Sequence, residues 1–285
     1  MSISLSHVSF TYSPGTVFEK LALYDINLTI EDGEYVGIMG QTGCGKSTLL
    51  QLMVGLEQPS EGKVFVDGKD INVREYNRKI LRQKVGMVFQ YPEVQLFETS
   101  VEKDVAFGLK HSGLSKTEID ENVRWAVEML GLDFEKIRAI SPFSLSGGEK
   151  RRVAIAGILA TKPKILILDE PVAGLDPVGR EEFLGLTKTL HAEGVTIIMV
   201  SHDADALSEC ADRIIGLKSG RLILDSPCSQ AFSDIQQLRR WGIGIGQTRQ
   251  ITSALSECGI KVPEEVFRYD DLLSHLLTLH KGGRA

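Results

Sequence analysis

At 285 residues, with 42% hydrophobic and 25% charged residues, the chain has the make-up of a globular protein that can hold one large domain or a core domain with an appendage. A net charge of −6 argues against nucleic-acid binding through bulk positive charge, and the cysteines at 44, 210, 228 and 258 form no C-x-x-C pair and no evident disulfide framework. No run approaches the roughly 18 apolar residues of a membrane span, and the opening residues lack the basic-then-apolar pattern of a leader.

Taken in order, Ile3 to Thr11 alternates roughly apolar and polar and predicts an edge-type strand, ending beside Tyr12. Leu23 to Ile30 alternates again and runs into Asp32-Gly33, a hairpin signal. The apolar run Tyr35–Met39 then leads into Gly40-Gln41-Thr42-Gly43-Cys44-Gly45-Lys46-Ser47-Thr48, followed by apolar Leu49–Met53. Strand, glycine-rich turn and helix in that order fit G-x-x-x-x-G-K-[ST] in the setting that gives the motif meaning. The glycines allow backbone N–H groups to converge on an anion, and the helix dipole adds positive potential. Lys46 would charge-match the outer phosphates and the Ser47 hydroxyl would bind Mg²⁺, so this is expected to be a nucleotide site.

A hairpin is predicted around Lys63–Asp70, and Val85–Phe89 reads as a short buried strand ending at Gln90-Tyr91-Pro92. From about residue 100 to 140 the pattern turns helical, with Ser115-Lys116-Thr117-Glu118 as a capping box ahead of Ile119, Val123, Ala126, Val127 and Leu130. Leu145-Ser146-Gly147-Gly148-Glu149 opens a further helix, whose amides, hydroxyl and dipole make a second anion-receptive turn. One chain cannot readily bring two such turns to the same phosphate, whereas a second subunit can.

Ile165–Leu168 and Val195–Val200 are strand-like with a helix between them, which indicates a parallel α/β sheet carrying the helical stretch as an insertion. Ligands of such sheets lie at the carboxyl ends of strands. Asp169 there would hold Mg²⁺, Glu170 would orient or deprotonate an attacking water, and His202, just past the second strand, would bond the terminal phosphate or the water. Beyond Asp225, Trp241–Gly246 reads as a glycine-punctuated linker, and two amphipathic helices follow. Their apolar stripes need a surface, either on a second subunit or on their own domain.

In motif order, Gly40–Ser47, Gln90, Leu145–Glu149, Asp169-Glu170, Ala173-Gly174-Leu175-Asp176 and His202 resemble the nucleotide-binding subunits of ABC transporters, over roughly residues 1–235. The resemblance implies a P-loop NTPase of ABC type, α/β, with a mixed sheet core, an antiparallel β subdomain and an α-helical subdomain. The helical appendage at 236–285 would be added to it as a possible dimer contact. It also implies ATP with Mg²⁺ bound between the phosphate loop of one subunit and the Ser146-Gly147-Gly148 turn of the other. By analogy Tyr12 stacks on adenine (a plain strand-end aromatic is the alternative). Gln90 contacts Mg²⁺ and senses a membrane partner, Asp176 links the two sites, and Glu170 is the catalytic carboxylate.

Phe89-Gln90-Tyr91-Pro92-Glu93-Val94-Gln95-Leu96-Phe97, the Pro14-Gly15-Thr16 insertion and the helical tail are similar to energy-coupling factor (ECF) transporter ATPases. That family imports vitamins or metal ions. The resemblance therefore implies a heterodimer of two similar ATPases, this chain resembling the second, with a homodimer as the alternative. It further implies a transmembrane coupling subunit, a substrate-capture membrane subunit and a place on the cytoplasmic face of the membrane. Tyr91–Phe97 and the helical insertion are the candidate membrane-subunit contacts, unless Leu96 and Phe97 are core. A conventional ABC importer subunit is the closest competing reading. A DNA-repair ABC ATPase is disfavoured by the negative charge and by the lack of a long heptad pattern between Lys46 and Leu145.

Two departures stand out. Cys44 replaces the common Ser and, at a helix start beside phosphate-binding amides, is expected to be acidified and reactive. Glu149-Lys150 replaces the common Gln-x, and little loss is expected because the Ser-Gly-Gly amides remain.

Overall fold

Two sheets meet in the computed structural model, which describes residues 2–263 and 266–282; the end of the proposed appendage, 283–285, lies outside the described residues. β1 (Ile3–Tyr12) and β2 (Lys20–Ile30) pair antiparallel from Ile3↔Ile30 to Tyr12↔Lys20. Their alternating apolar residues, Ile3, Leu5, Val8 and Phe10 with Leu23, Ile26, Leu28 and Ile30, share one buried face. After β3 (Tyr35–Gly40) and α1 (Lys46–Met53), β4 (Glu61–Val66) and β5 (Lys69–Asp70) form the expected hairpin. Its two central residues, Asp67 and Gly68, have φ of 51° and 70°, as a tight two-residue turn requires.

Two expectations are corrected here. The first sheet runs β2-β1-β4-β5, so β1 is an interior strand and not an edge. Alternation reports one solvated face; it does not report how many neighbours a strand bonds to. Nor does Asp32-Gly33 close a hairpin, because β2 and β3 belong to different sheets. Gly33, at φ 74°, donates its N–H to Thr196 Oγ1 at 2.8 Å, and the turn carries the chain from one sheet into the other.

α2 (Arg78–Lys84) and β6 (Val85–Val88) precede the helical stretch, which supplies α3 (Val101–Val105), α4 (Lys116–Met129) and α5 (Phe134–Ile137), and α6 (Gly147–Leu159) follows it. The Ser115 capping box closes in both directions, Ser115 N donating to Glu118 Oε2 at 2.7 Å and Glu118 N to Ser115 Oγ at 3.3 Å. The chain continues as β7 (Ile165–Asp169), α7 (Pro177–Ala192), β8 (Thr196–Val200), α8 (Ala204–Cys210), β9 (Arg213–Lys218) and β10 (Arg221–Pro227).

The second sheet runs β10-β9-β3-β8-β7-β6, parallel throughout except for the β9/β10 hairpin. Its central strands are continuous apolar runs because both faces are covered. Val36, Ile38, Ile167, Ile198 and Val200 pack towards the antiparallel sheet and α1. Their neighbours Tyr35, Met39, Leu166, Leu168, Ile197 and Met199 pack towards the helices of the other side. The period of two thus divides one set of strands between two cores.

The tail adds α9 (Cys228–Ala231), α10 (Ile235–Trp241), α11 (Gln247–Glu257) and α12 (Tyr269–Gly282). The expected linker is packed: Leu238 and Ile243 are buried in the same core as α7 and α8, with Trp241 and Ile245 against them. Thr248, Thr252 and Leu272 are buried as well, whereas Ile251, Leu273 and Leu277 are exposed.

Candidate functional site

Register brings the site together. Asp169 at the end of β7 lies opposite Val200 at the end of β8, and Ile38 of β3 pairs with Val200 on the other side. The residues that follow all three strands therefore emerge along one rim, at the carboxyl ends where a parallel sheet places its ligand.

On that rim the phosphate loop turns on positions only glycine can fill. A Cβ on Gly40 (φ 152°) would lie 2.2 Å from the Leu217 carbonyl oxygen, and one on Gly45 (φ 109°) 2.7 Å from that of Ala22. Lys46 is buried, and its Nζ donates to the carbonyls of Gly40 at 2.7 Å and Gln41 at 3.1 Å. The ammonium is thus held inside the loop. Tyr12, exposed at the end of β1, shares a hydrogen bond of 2.9 Å with Thr48 Oγ1 and stands edge-on to Phe10. It is anchored on the helix that follows the loop.

Asp169 and Glu170 are both buried, which raises both carboxyls above the ordinary range. For Asp169 a hydrogen bond from Ser47 and the nearby Lys46 and His202 oppose that rise. For Glu170 the opposing influence is mainly His202. Glu170 sits at φ 50°, a left-handed conformation that turns its side chain out of the strand direction. Its Oε1 is 3.1 Å from His202 Nε2, and its Oε2 accepts the His202 backbone N–H at 3.3 Å. Carboxylate and imidazole therefore stand together, the imidazole exposed and the carboxylate buried beside it. Asp169 and the Ser47 hydroxyl, joined by a hydrogen bond, present oxygen donors side by side on the rim. No cluster of three His, Cys, Asp or Glu occurs among the described residues. That combination suits a magnesium ion carried mainly by nucleotide phosphates and water, with few protein ligands.

Gln90 is exposed on the bend after β6, ahead of Tyr91 (φ 58°) and a short 3₁₀ turn at Pro92–Gln95. Of the two apolar residues that followed in the sequence, Leu96 is core and Phe97 is exposed. Phe97 stacks edge-on against Phe107 at 4.7 Å, and Tyr91, Val94 and Phe107 are exposed with it. No periodic pattern marks Phe107, which lies on a one-turn 3₁₀ segment after α3.

The Ser146 turn caps α6, and among the described residues no hydrogen bond joins it to the phosphate loop. Here Glu149 does more than replace a glutamine. Its Oε2 accepts from Ser146 N at 2.9 Å and from Ser146 Oγ at 2.6 Å, which holds the Glu149 carboxyl below the usual range. The hydroxyl expected to face a phosphate is engaged by a carboxylate of its own helix. A cavity of about 930 Å³ opens on this side, between α6 and α7, lined by Gly148, Arg151, Gly174 and Asp176 among others.

Three ties escaped the sequence. Arg151 is buried in α6 and donates from Nη1 to Ala173 O at 2.9 Å and from Nη2 to Pro171 O, clamping the turn that follows Glu170. Asp176 caps α7 through Gly179 N at 2.7 Å, and Arg180, one turn on, bonds Asp203 beside His202 at 2.8 Å. Asp205 accepts from the first amides of α11. Each joins residues far apart in the chain, where no local pattern can reveal a partner. The acidified Cys44 is also corrected: the thiol is buried, and burial pushes it up by more than Lys46 and the loop amides pull it down.

Comparison with known proteins agrees with the geometry. The family profile described as ABC transporter matches residues 23–173. The curated "Energy-coupling factor transporter ATP-binding protein EcfA2" of Clostridium perfringens is 45% identical over 280 residues, 98% of each chain. Its namesake in Caldanaerobacter subterraneus subsp. tengcongensis is 44% identical over 283 residues, 99% of each. Among solved structures, cbiO1 from Clostridium perfringens, described as part of the ABC transporter complex cbiONQ, superposes with a TM-score of 0.73. It is 37% identical, covering 89% of this chain and 98% of that one. The ATP-binding cassette MJ0796, solved as a dimer in a post-hydrolysis state with ADP and Pi, gives a TM-score of 0.71 at 33% identity, covering 79% and 98%.

Proposed function

This chain belongs to the ABC transporter family, as an energy-coupling factor (ECF) ATPase that hydrolyses ATP for transport, and on that premise we propose how its residues divide the work. The observation that carries the assignment is the Glu170–His202 pair on the rim next to the phosphate loop. Water attacks the γ-phosphorus in line with the departing ADP oxygen. Glu170 accepts the water proton; His202 Nε2 exchanges Glu170 Oε1 for a γ-phosphate oxygen, while the His202 backbone N–H keeps Glu170 aligned. Lys46 exchanges the Gly40 and Gln41 carbonyls for phosphate oxygens, and the amides of Gly43–Ser47 complete the cradle. Ser47, Asp169 and Gln90 would hold Mg²⁺, which supplies neutralisation of phosphate charge. Tyr12 would stack on adenine, held in place by its bond to Thr48.

The Ser146-Gly147-Gly148 turn serves the nucleotide of a second ATPase subunit, in a head-to-tail pair. The dimeric form of the MJ0796 cassette supports that reading. ATP would favour the closed pair and hydrolysis would release it. Among the described residues no helix is long and apolar enough to cross a membrane. The chain would therefore reach the cytoplasmic face through a transmembrane coupling subunit seated on Tyr91, Val94, Phe97 and Phe107. A separate membrane subunit would capture the vitamin or metal ion. The exposed stripe of α11 and α12 would contact the second ATPase.

Glu170→Gln tests the assignment. It is expected to bind ATP, stabilise the closed pair and turn over at least a hundredfold more slowly, consistent with loss of a general base. Turnover near wild type would remove Glu170 from the mechanism. Purification of the complex through this chain from its own cells tests the partners: a second ATPase with small polytopic membrane proteins is expected. A conventional permease in their place would reject the ECF partner set.

A further inference from the structure

Between α10 and α11 the chain reads Gly242-Ile243-Gly244-Ile245-Gly246, an alternation that the nucleotide motifs leave unexplained. Ile243 is buried against β9, so close that a Cβ on Gly216 would lie 2.8 Å from Ile243 Cδ1. The glycines approach the catalytic loops. A Cβ on Gly242 (φ 71°) would overlap the Gln41 side chain of the phosphate loop, 2.0 Å from Nε2. One on Gly244 would stand 3.1 Å from the His202 carbonyl oxygen, and one on Gly246 would lie 2.3 Å from Asp205 Oδ1. Asp205, just beyond His202, accepts from Gln247 N at 2.7 Å and Thr248 N at 3.3 Å, which fastens the start of α11 to the same loop. At each of these positions a side chain would meet the neighbouring loop, and only glycine brings a backbone this near.

We propose that residues 242–248 form a strap that positions the His202 loop, so that docking of the C-terminal helices sets the rate of ATP hydrolysis. The proposal rests on the reading of His202 as the γ-phosphate partner. Gly244 and Asp205 are positioning residues, acting through the backbone of 202–205. A methyl group at 244 forces the His202 carbonyl to give way by a few tenths of an ångström. Since about 1 Å of misplacement costs about a hundredfold, Gly244→Ala is expected to lower kcat by about three- to tenfold. KM for ATP stays within about twofold, because Gly244 approaches none of the phosphate loop.

The test is single- and multiple-turnover ATP hydrolysis by the transporter complex purified through this chain. Wild type is compared with Gly244→Ala, His202→Ala and the double variant. Gly185→Ala in α7, where a Cβ meets nothing, is the control. The strap predicts a kcat loss at constant KM in the wild-type background and none beyond that of His202→Ala in the double variant. An unchanged kcat for Gly244→Ala, or the same loss in both backgrounds, overturns it. Turnover near wild type in His202→Ala overturns the reading of His202 itself, and the strap with it. If Gly244→Ala does not fold, Asp205→Asn carries the test, replacing one accepting oxygen by a donor. It is expected to show the same kinetic split and faster amide exchange at Gln247 and Thr248; slow exchange with an unchanged kcat overturns the proposal.

Discussion

Replacing Arg151 by leucine tests whether the turn after Glu170 is held by the guanidinium or by packing alone. The structure supplies the terms: a buried cation, one 2.9 Å bond to Ala173 O and a second to Pro171 O. A hydrogen bond from a charged donor contributes about 1.5–3 kcal/mol net, so two give about 3–6 kcal/mol. Against this, leucine removes a cation whose burial is unfavourable, as the lowered pKa of Arg151 shows, and the balance is a loss of about 3 kcal/mol. In a chain of this size that is a fall of about 6–12 °C in Tm. Lysine retains the charge but reaches one carbonyl well and not two, so Arg151→Lys is expected to fall between wild type and Arg151→Leu. The measurement is thermal unfolding by circular dichroism, with ATP turnover on the same preparations. Turnover should follow the same order, because residues 171–175 carry the chain from Glu170 to Asp176. A Tm for Arg151→Leu within 2 °C of wild type, or a lysine variant as damaged as the leucine one, would refute the hydrogen-bond account.

Burial raises the Glu170 carboxyl, and a general base must be ionised, so kcat is expected to fall on the acid side at a pH above the ordinary glutamate value of 4.5, read from a pH–rate profile. The stability term has the opposite sense: the buried charge is unfavourable above the folded-state pKa and relieved below it. Glu170→Gln should therefore be stabilising near pH 7 and lose that advantage as pH falls, followed by Tm against pH. Maleimide should label exposed Cys258 in the native protein and spare Cys44, Cys210 and Cys228 until denaturant is added, with ATP hydrolysis unchanged by the native-state label; mass spectrometry decides. Phe97→Asp, at an exposed site, should shift stability by no more than about 0.5 kcal/mol while co-purification of the membrane subunits is lost. Retained membrane subunits would move the coupling surface elsewhere.

What the sequence made legible was whatever is local and repeats. The phosphate loop between an apolar strand and an apolar helix, the Asp67-Gly68 hairpin and the Ser115 capping box each carry their cause within about ten residues. The place of Asp169-Glu170 and His202 at the carboxyl ends of neighbouring strands was legible because apolar runs announce parallel strands. The interior place of β1 was not, since a hydrogen-bonded edge leaves no mark on alternation. Arg151, Arg180 and Asp205 were not, because their partners lie 20 or more residues away. Cys44 was misread for a related reason: local neighbours argued for a thiolate, and burial in the core between the two sheets argued more strongly against it.

Glu149 shows why a motif match and a working site differ. A carboxylate at this position satisfies the capping box better than the expected glutamine, because it accepts from both the Ser146 amide and its hydroxyl. On the proposed pairing the same carboxylate would lie where the partner's γ-phosphate docks, so a residue that stabilises α6 would weaken the anion-receptive turn. Glu149→Gln separates the two effects. Loss of the charged cap should lower helix stability by about 0.5–1 kcal/mol, read as a drop of a few degrees or less in Tm. Removing the charge should lower the KM for ATP in the assembled complex, where the turn meets nucleotide, and leave ATP binding by the isolated chain unaltered. A KM that stays fixed in the complex would mean that the Ser-Gly-Gly amides alone set the affinity, as the motif by itself suggested.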